Sequence, residues 1–270
     1  MPHRLGRLAV ASLHAELACA PKPGLVTPFD RGSHEDMDAA TFLRSLFALR
    51  GYFVAIAAAG AADAAFPALR ELGIVAERAM LRATGGINTH RGAIFSLGLL
   101  VAAAARLRRQ HQAATDGVAV CNAVGLWRDA LPDAPLDPHS HGQRMRRLHG
   151  VAGVREQAAE GFPLLRELAL PALRGALRAG FAHDAAMAQT LLLLIAHTED
   201  LNLLHRGGRD GLRFAQRSAR AFLDAGGAAQ PQWRQRLARI GDAFVARRLS
   251  PGGSADLLAC ACFLQRQETA

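Results

Sequence analysis

No segment of this chain sustains strict apolar/polar alternation, and Val, Ile and Thr are sparse beside Ala, Leu and Arg. A half-buried strand needs a period of two and favours branched side chains, whereas Ala, Leu and Arg are strong helix formers. The pattern therefore predicts an all-α fold. Apolar residues at helical spacing place helices at Leu5–Ala20, where Pro21 stops the run, and then at Ala39–Ala62, Pro67–Arg82, Thr89–Gln112 and Thr115–Ala130. Further helices are predicted at Val151–Gly161, Leu164–Ala179, Asp184–Leu204, Gly211–Ala225, Gln232–Arg248 and Ser254–Arg266. Leu131–His141, with three prolines and two histidines, reads as a loop. No repeat, low-complexity linker or charge block marks a boundary, so residues 1–270 read as a single compact multi-helix domain.

Half the residues are hydrophobic and 20% are charged, which excludes a disordered chain. Lys and Arg together number 32 against 23 Asp and Glu, a net charge of +9 that suits anionic partners. All but one of those basic residues are arginine, so the balance reflects composition along the whole chain. The exception is Lys22, a compact ammonium where every other position carries a planar fork. Cys19, Cys121, Cys260 and Cys262 form no C-x-x-C pair and the N-terminus lacks a continuous apolar run, which predicts a reduced, cytoplasmic protein. The longest apolar stretches, Ala93–Ala105 and Thr190–Ala196, fall short of the ~20 residues of a spanning helix.

Polar residues collect in five glycine-punctuated clusters between apolar helices, where rigid elements hold polar groups at a cleft. In the first, two prolines flank Lys22 and hold it in an extended segment, suited to a phosphate or to a plain turn. In the second, Ser33 and Asp36 have capping-box spacing, while His34, Glu35, Asp36 and Asp38 together offer ligands for a hard cation such as Mg²⁺. The third, Thr84 to Gly92, combines two glycines with Arg91 at a helix start, where free N–H groups suit a phosphate or ribose hydroxyl; a C-cap followed by an N-cap is the plain alternative. The fourth, His197 to Gly208, puts Glu199, Asp200 and Asn202 at the tip of the most apolar helix, with Glu199 and Asn202 on one face. The fifth, Ser250 to Asp256, is a Gly-Gly turn feeding a helix whose first turn holds Asp256, where a carboxylate favours the helix dipole whatever its function.

In this order the clusters resemble the triphosphoribosyl-dephospho-CoA synthase family. The resemblance rests on P-K-P-G-L-V at 21–26, G-S-H-E-D-M-D at 32–38, T-G-G-I-N-T-H-R-G-A-I-F at 84–95, E-D-L-N-L-L-H-R-G-G at 199–208 and S-P-G-G-S-A-D-L-L-A at 250–259. Residues 150–163 are similar to the family's central G-x-x-G-x-R-x-E-A-x-x-G-F-P pattern, with Gln157 in place of the glutamate and Glu156 one position earlier. The resemblance implies a transferase that joins ATP to 3′-dephospho-CoA, releases adenine and makes 2′-(5″-triphosphoribosyl)-3′-dephospho-CoA. That product is the prosthetic-group precursor of an acyl carrier subunit, of malonate decarboxylase or of citrate lyase. The free-standing chain and the stretch from Glu77 to Gly92 lean toward the malonate decarboxylase branch.

Breaking the N-glycosidic bond of ATP develops cationic character at the ribose C1′, which carboxylates stabilise while a base takes the proton of the incoming hydroxyl. The resemblance thus assigns Asp36, Asp38, Glu199 and Asp200 to Mg²⁺ and cation stabilisation, with His34, His90 or His205 carrying the proton. It assigns Lys22, Arg91 and Arg206 to the phosphates, with backbone groups near Gly85, Gly86, Gly207 and Gly208. Asn88, Thr89, Arg155 and Asn202 complete the nucleotide-binding set. The same parts suit a Mg²⁺-dependent ADP-ribosyl or nucleotide hydrolase with water as acceptor. A nucleic-acid-binding helical protein is the non-enzyme alternative, disfavoured because aromatics are only 6% and the arginines form no dense stripe.

Overall fold

The computed structural model describes residues 1–111, 115–131 and 141–269, which contain helices and no strand. The helices are α1 (Pro2–Ala18), α2 (Ala39–Ala48), α3 (Arg50–Ala61), α4 (Phe66–Thr84), α5 (Arg91–His111), α6 (Gly117–Val124) and α7 (His141–His149). They continue with α8 (Val154–Ala159), α9 (Leu170–Arg178), α10 (His183–His197), α11 (Leu201–Asp224), α12 (Trp233–Ala246) and α13 (Gly252–Glu268). One wide turn of π-helix, Leu164–Ala169, precedes α9. Most of the predicted loop, 132–140, lies outside the described residues.

Three helices are apolar nearly all round, the pattern of elements enclosed by others. In α5 every residue from Leu97 to Ala105 is buried, and α10 and α13 are buried along most of their length. The α3 helix lies across α5, α1 covers α3 and α13, and α11 covers α10. Close crossing depends on missing side chains: a Cβ on Gly60 of α3 would meet the Ala102 carbonyl oxygen of α5 at 2.2 Å. Tyr52 of α3 reaches past Gly98 to donate to the Ile94 carbonyl at 2.7 Å.

Two predicted helices are divided. The run 39–62 bends by 41° at Leu49, because α2 packs on α4 while α3 packs on α1 and α5, and one straight rod cannot do both. The run 184–204 breaks at Thr198–Asp200, where Asp200 caps a new helix. That helix, α11, takes in the predicted 211–225 run as far as Asp224 and kinks at Gly208, whose φ of 60° and ψ of −162° are open to glycine. No single described helix is long and apolar enough to cross a membrane; α2 and α3 together pass on length and composition but are the bent pair.

Candidate active site

The irregular segment between α1 and α2 meets the turn before α13 in an interlock of backbones. A Cβ on Gly24, at φ +69°, would lie 2.0 Å from the Leu249 carbonyl oxygen, and one on Gly32 would collide with Gly24 itself. Ser33 donates its hydroxyl to the same Leu249 oxygen at 2.6 Å and its N–H to the Gly24 carbonyl at 3.1 Å. The glycines of the first two clusters thus fit the chain against itself.

A cleft of about 920 Å³ opens beside this interlock, and all six signature segments contribute to its wall. Lys22, His34, Asp36, Gly86, Asn88, Thr89, His90 and Arg91 line it, and so do Arg155, Glu199, Asp200, Asn202, His205 and Arg206. Asp38, Gly85, Gly207 and Gly208 do not. Asp38 caps α2, accepting from Thr41 N–H at 2.9 Å, and its carboxyl is held below the usual range by those Thr41 bonds. Gly85 ends α4 in the left-handed conformation, Gly207 lies under the Leu249 side chain, and Gly208 forms the kink of α11.

Buried acids form the floor. Asp200 is 1% exposed and accepts four hydrogen bonds: Oδ1 from Asn202 and Leu203 N–H at 2.9 and 3.3 Å, Oδ2 from Ser254 N–H and hydroxyl at 2.8 and 3.0 Å. One carboxylate caps α11 and binds the first turn of α13, and its four acceptor positions are filled. Desolvation nonetheless raises its pKa, outweighing those bonds. Lys22 is equally enclosed, and its ammonium is engaged by Glu16, donating to the Glu16 carbonyl at 2.6 Å and pairing with its carboxylate. Glu16, on the largely apolar inner face of α1, was not singled out in the sequence; an acid between Leu13 and Leu17 is the signal that marks it. Among the described residues no three His, Cys, Asp or Glu are grouped to hold a metal, so the carboxylates of 36, 38, 199 and 200 do not converge on one ion. Asp36 and Glu199 are exposed to the cleft.

The histidines differ. His34 accepts from Arg206 Nη2 at Nδ1 (3.0 Å), which leaves its proton on Nε2, 2.9 Å from the Ser250 hydroxyl. Burial and Arg206 push its pKa down to about 4. Arg206 also donates to the Ser33 and Arg248 carbonyls at 3.0 and 3.2 Å, so it braces the second cluster against the fourth and against the end of the segment after α12. His90, 3% exposed, holds Ser45 Oγ at 2.6 Å through Nδ1, and burial with Lys22 nearby pushes its pKa down to about 3. His205 stands exposed on α11.

Of the remaining cluster residues, Asn88 caps α5 by accepting from Arg91 N–H at 3.1 Å, and Arg91 pairs with Glu77 at 3.2 Å. Glu156, the displaced acid of the central pattern, reaches back to accept from Gly153 N–H at 2.8 Å at the start of α8, while Gln157 faces the cleft. Four polar atoms in residues of the wall are buried without a hydrogen-bond partner among the described residues: Thr89 Oγ1, His90 Nε2, Gln157 Oε1 and Thr198 Oγ1. Each such atom costs roughly 1–3 kcal/mol, and their gathering around one cleft marks a surface completed by a ligand.

Comparison with known proteins identifies the family. The sequence model of the CitG family, ATP:dephospho-CoA triphosphoribosyl transferase, matches residues 2–270. A protein of Stutzerimonas stutzeri described as a probable 2-(5″-triphosphoribosyl)-3′-dephosphocoenzyme-A synthase is 43% identical over 97% of this chain and 91% of its own length. The synthase of Pectobacterium atrosepticum is 41% identical over 96% of this chain and 87% of its own, and a probable synthase of Acinetobacter calcoaceticus 38% over 98% and 91%. No solved structure matches the chain. With the match running from end to end and through every segment of the cleft wall, this chain belongs to the triphosphoribosyl-dephospho-CoA synthase family of ATP-using transferases.

Proposed function

We propose that this chain transfers the triphosphoribosyl group of ATP to the 2′-hydroxyl of 3′-dephospho-CoA and releases adenine. The observation that carries this reading is the single cleft in which all six signature segments meet and four orphaned polar atoms await a ligand. Its cationic edge, with Arg91 and Arg155, suits the phosphates. Its apolar side, where Val26, Met37, Phe42 and Ile87 pack together, suits a purine ring. Mg²⁺ would arrive with the triphosphate and add Asp36 and Glu199 as ligands, since this cation takes one or two carboxylates beside phosphate oxygens. Asp200 then serves as the cap that sets Glu199 and Asn202 at the cleft.

For the proton of the 2′-hydroxyl, His205 is the better acceptor. The pKa values of His34 and His90 are pushed down to about 4 and about 3, which makes both weak bases at neutral pH. Lys22, bound to Glu16, supports the cleft floor, with one N–H left to reach a ligand. The product supplies the acyl carrier subunit of malonate decarboxylase in the cytoplasm, a role supported by the Glu77–Gly92 stretch and checked by whether neighbouring genes encode that enzyme's subunits.

The test is incubation with Mg²⁺, ATP and dephospho-CoA, following free adenine and the mass of the CoA species. Adenine and adduct should appear together in equal amounts. Adenine released at full rate without dephospho-CoA would replace this reading with the hydrolase.

A further inference from the structure

Asp256 lies one turn into α13 and lines the cleft, partly exposed. It has no assigned part in the reading above, and its surroundings are unusual for a cap. It accepts a backbone hydrogen bond from Ala93, in the first turn of α5. Its Oδ2 is pressed so close to Gly92 that a Cβ there would lie 2.0 Å away, so glycine is what admits the carboxyl to this position. Glu16 from α1 and Asp200 from the α10–α11 turn are close enough to act on it electrostatically.

Charge balance then decides its state. Of the cations near these three acids, Lys22 is bonded to Glu16, and Arg91, on the helix that packs against α13, pairs with Glu77. Asp200 is served by four N–H and O–H donors, whereas Asp256 accepts from the Ala93 N–H. Three neighbouring carboxyl groups, of which Lys22 is bonded to one and four donors serve another, do not all ionise, and the proton settles on the one with the fewest partners. That group is Asp256, whose pKa is raised well above the usual carboxylate range by burial first and by Glu16 and Asp200 next.

We propose that Asp256 is the general acid of the transfer, giving its proton to a ring nitrogen of adenine as the bond from that base to the ribose C1′ breaks. This rests on the reaction proposed above. The electron pair of the C1′–N9 bond goes to the base, which leaves as neutral adenine instead of its anion. The C1′ carbon bonds to the 2′-oxygen of dephospho-CoA, and the proton lost from that hydroxyl balances the one adenine carries away and restores the acid. Gly92 is the residue that positions Asp256, and the apolar residues that suit the base line the same cleft.

The test uses Asp256→Asn, which keeps the shape and an acceptor for the Ala93 N–H but has no acidic proton. With ATP and dephospho-CoA the turnover number should fall by about 10²–10⁴-fold while ATP binding, measured by calorimetry, stays within about threefold. Wild-type turnover is the control for the reaction itself: with no adduct from wild type the underlying reading fails, whereas a wild type that turns over beside an equally active variant sinks only this inference. The decisive substrate is ATP methylated at N7, whose base leaves neutral without a proton. The variant should process it at close to the wild-type rate. An equal loss on both substrates would reduce Asp256 to a structural cap and overturn the proposal. Should Asp256→Asn not fold, the wild type alone carries the test: activity on ATP must decline as pH rises and the acid ionises, and activity on the methylated substrate must lack that decline.

Discussion

Asp38 at the start of α2 and Asp200 at the start of α11 both cap a helix through backbone N–H groups, but the Asp38 side chain is 39% exposed while Asp200 is buried. Asp38 serves one helix and a surface pair with Arg31 at 3.3 Å. Asp200 serves two helices and draws the turns before α11 and α13 together beneath the cleft. The same residue type in the same local motif is therefore a surface detail in one place and the keystone of a site in the other. The difference is solvent: water substitutes for a missing partner at Asp38 and has no access at Asp200.

Replacing each cap by alanine breaks this comparison most directly. Asp200→Ala leaves buried donors on two helices and should cost about 4 kcal/mol in urea unfolding, with loss of adenine release. Asp38→Ala should lower the melting temperature by a small fraction of that effect and leave activity intact; equal losses would remove the distinction.

The ion pairs beside the two caps sharpen it further. Lys22→Met strands a buried carboxylate at Glu16 and should cost about 3 kcal/mol, whereas Arg31→Met removes an exposed partner and should be close to neutral. Equal melting temperatures for the two variants would contradict that expectation.

The smallest effect is in pH, and its sign differs between the caps. The pKa of Asp38 is lowered by folding, so its stabilisation is present above the unfolded value near 3.9 and is lost as pH falls through the folded one. The pKa of Asp200 is raised, so its contribution is greatest below 3.9 and declines as pH rises through the folded value. The neutral His34 and His90 add a loss of stability on acidification, beginning near pH 6.5 and running toward about 4 and 3. In unfolding curves taken at stepped pH, Asp38→Asn should flatten the acid limb and Asp200→Asn should not.

Helix content was legible in the sequence because period and composition act locally. The predicted starts at Ala39 and Gln232 fall within one residue of the observed ones, and the glycine cluster at 84–92 proves to be the C-cap of α4 followed by the N-cap of α5, its plain reading. The breaks at Leu49 and at 198–200 were not legible, since each is imposed by which neighbours a helix must touch. Within the candidate site, many of the polar residues that line the cleft came from the motifs, but Glu16 and the engagements did not. Lys22 reads as an extended-segment phosphate ligand and is found held by Glu16; Arg206 reads as a phosphate ligand and is found bracing His34 and two carbonyls. Nothing near Lys22 in the sequence distinguishes a buried partner six residues upstream from solvent.

The sequence by itself determined that this chain is helical, that its polar chemistry collects at glycine turns, and which family it belongs to, because propensity and motif order are properties of neighbours along the chain. Only the tertiary structure decided that Asp38 and Gly208 stand apart from the cleft, that Asp200 is saturated, that Lys22 is held by Glu16, and that Glu16 and Asp200 act on Asp256. Burial and charge coupling act between residues far apart in the chain, and they govern whether a carboxyl is a cap, a counter-ion or an acid.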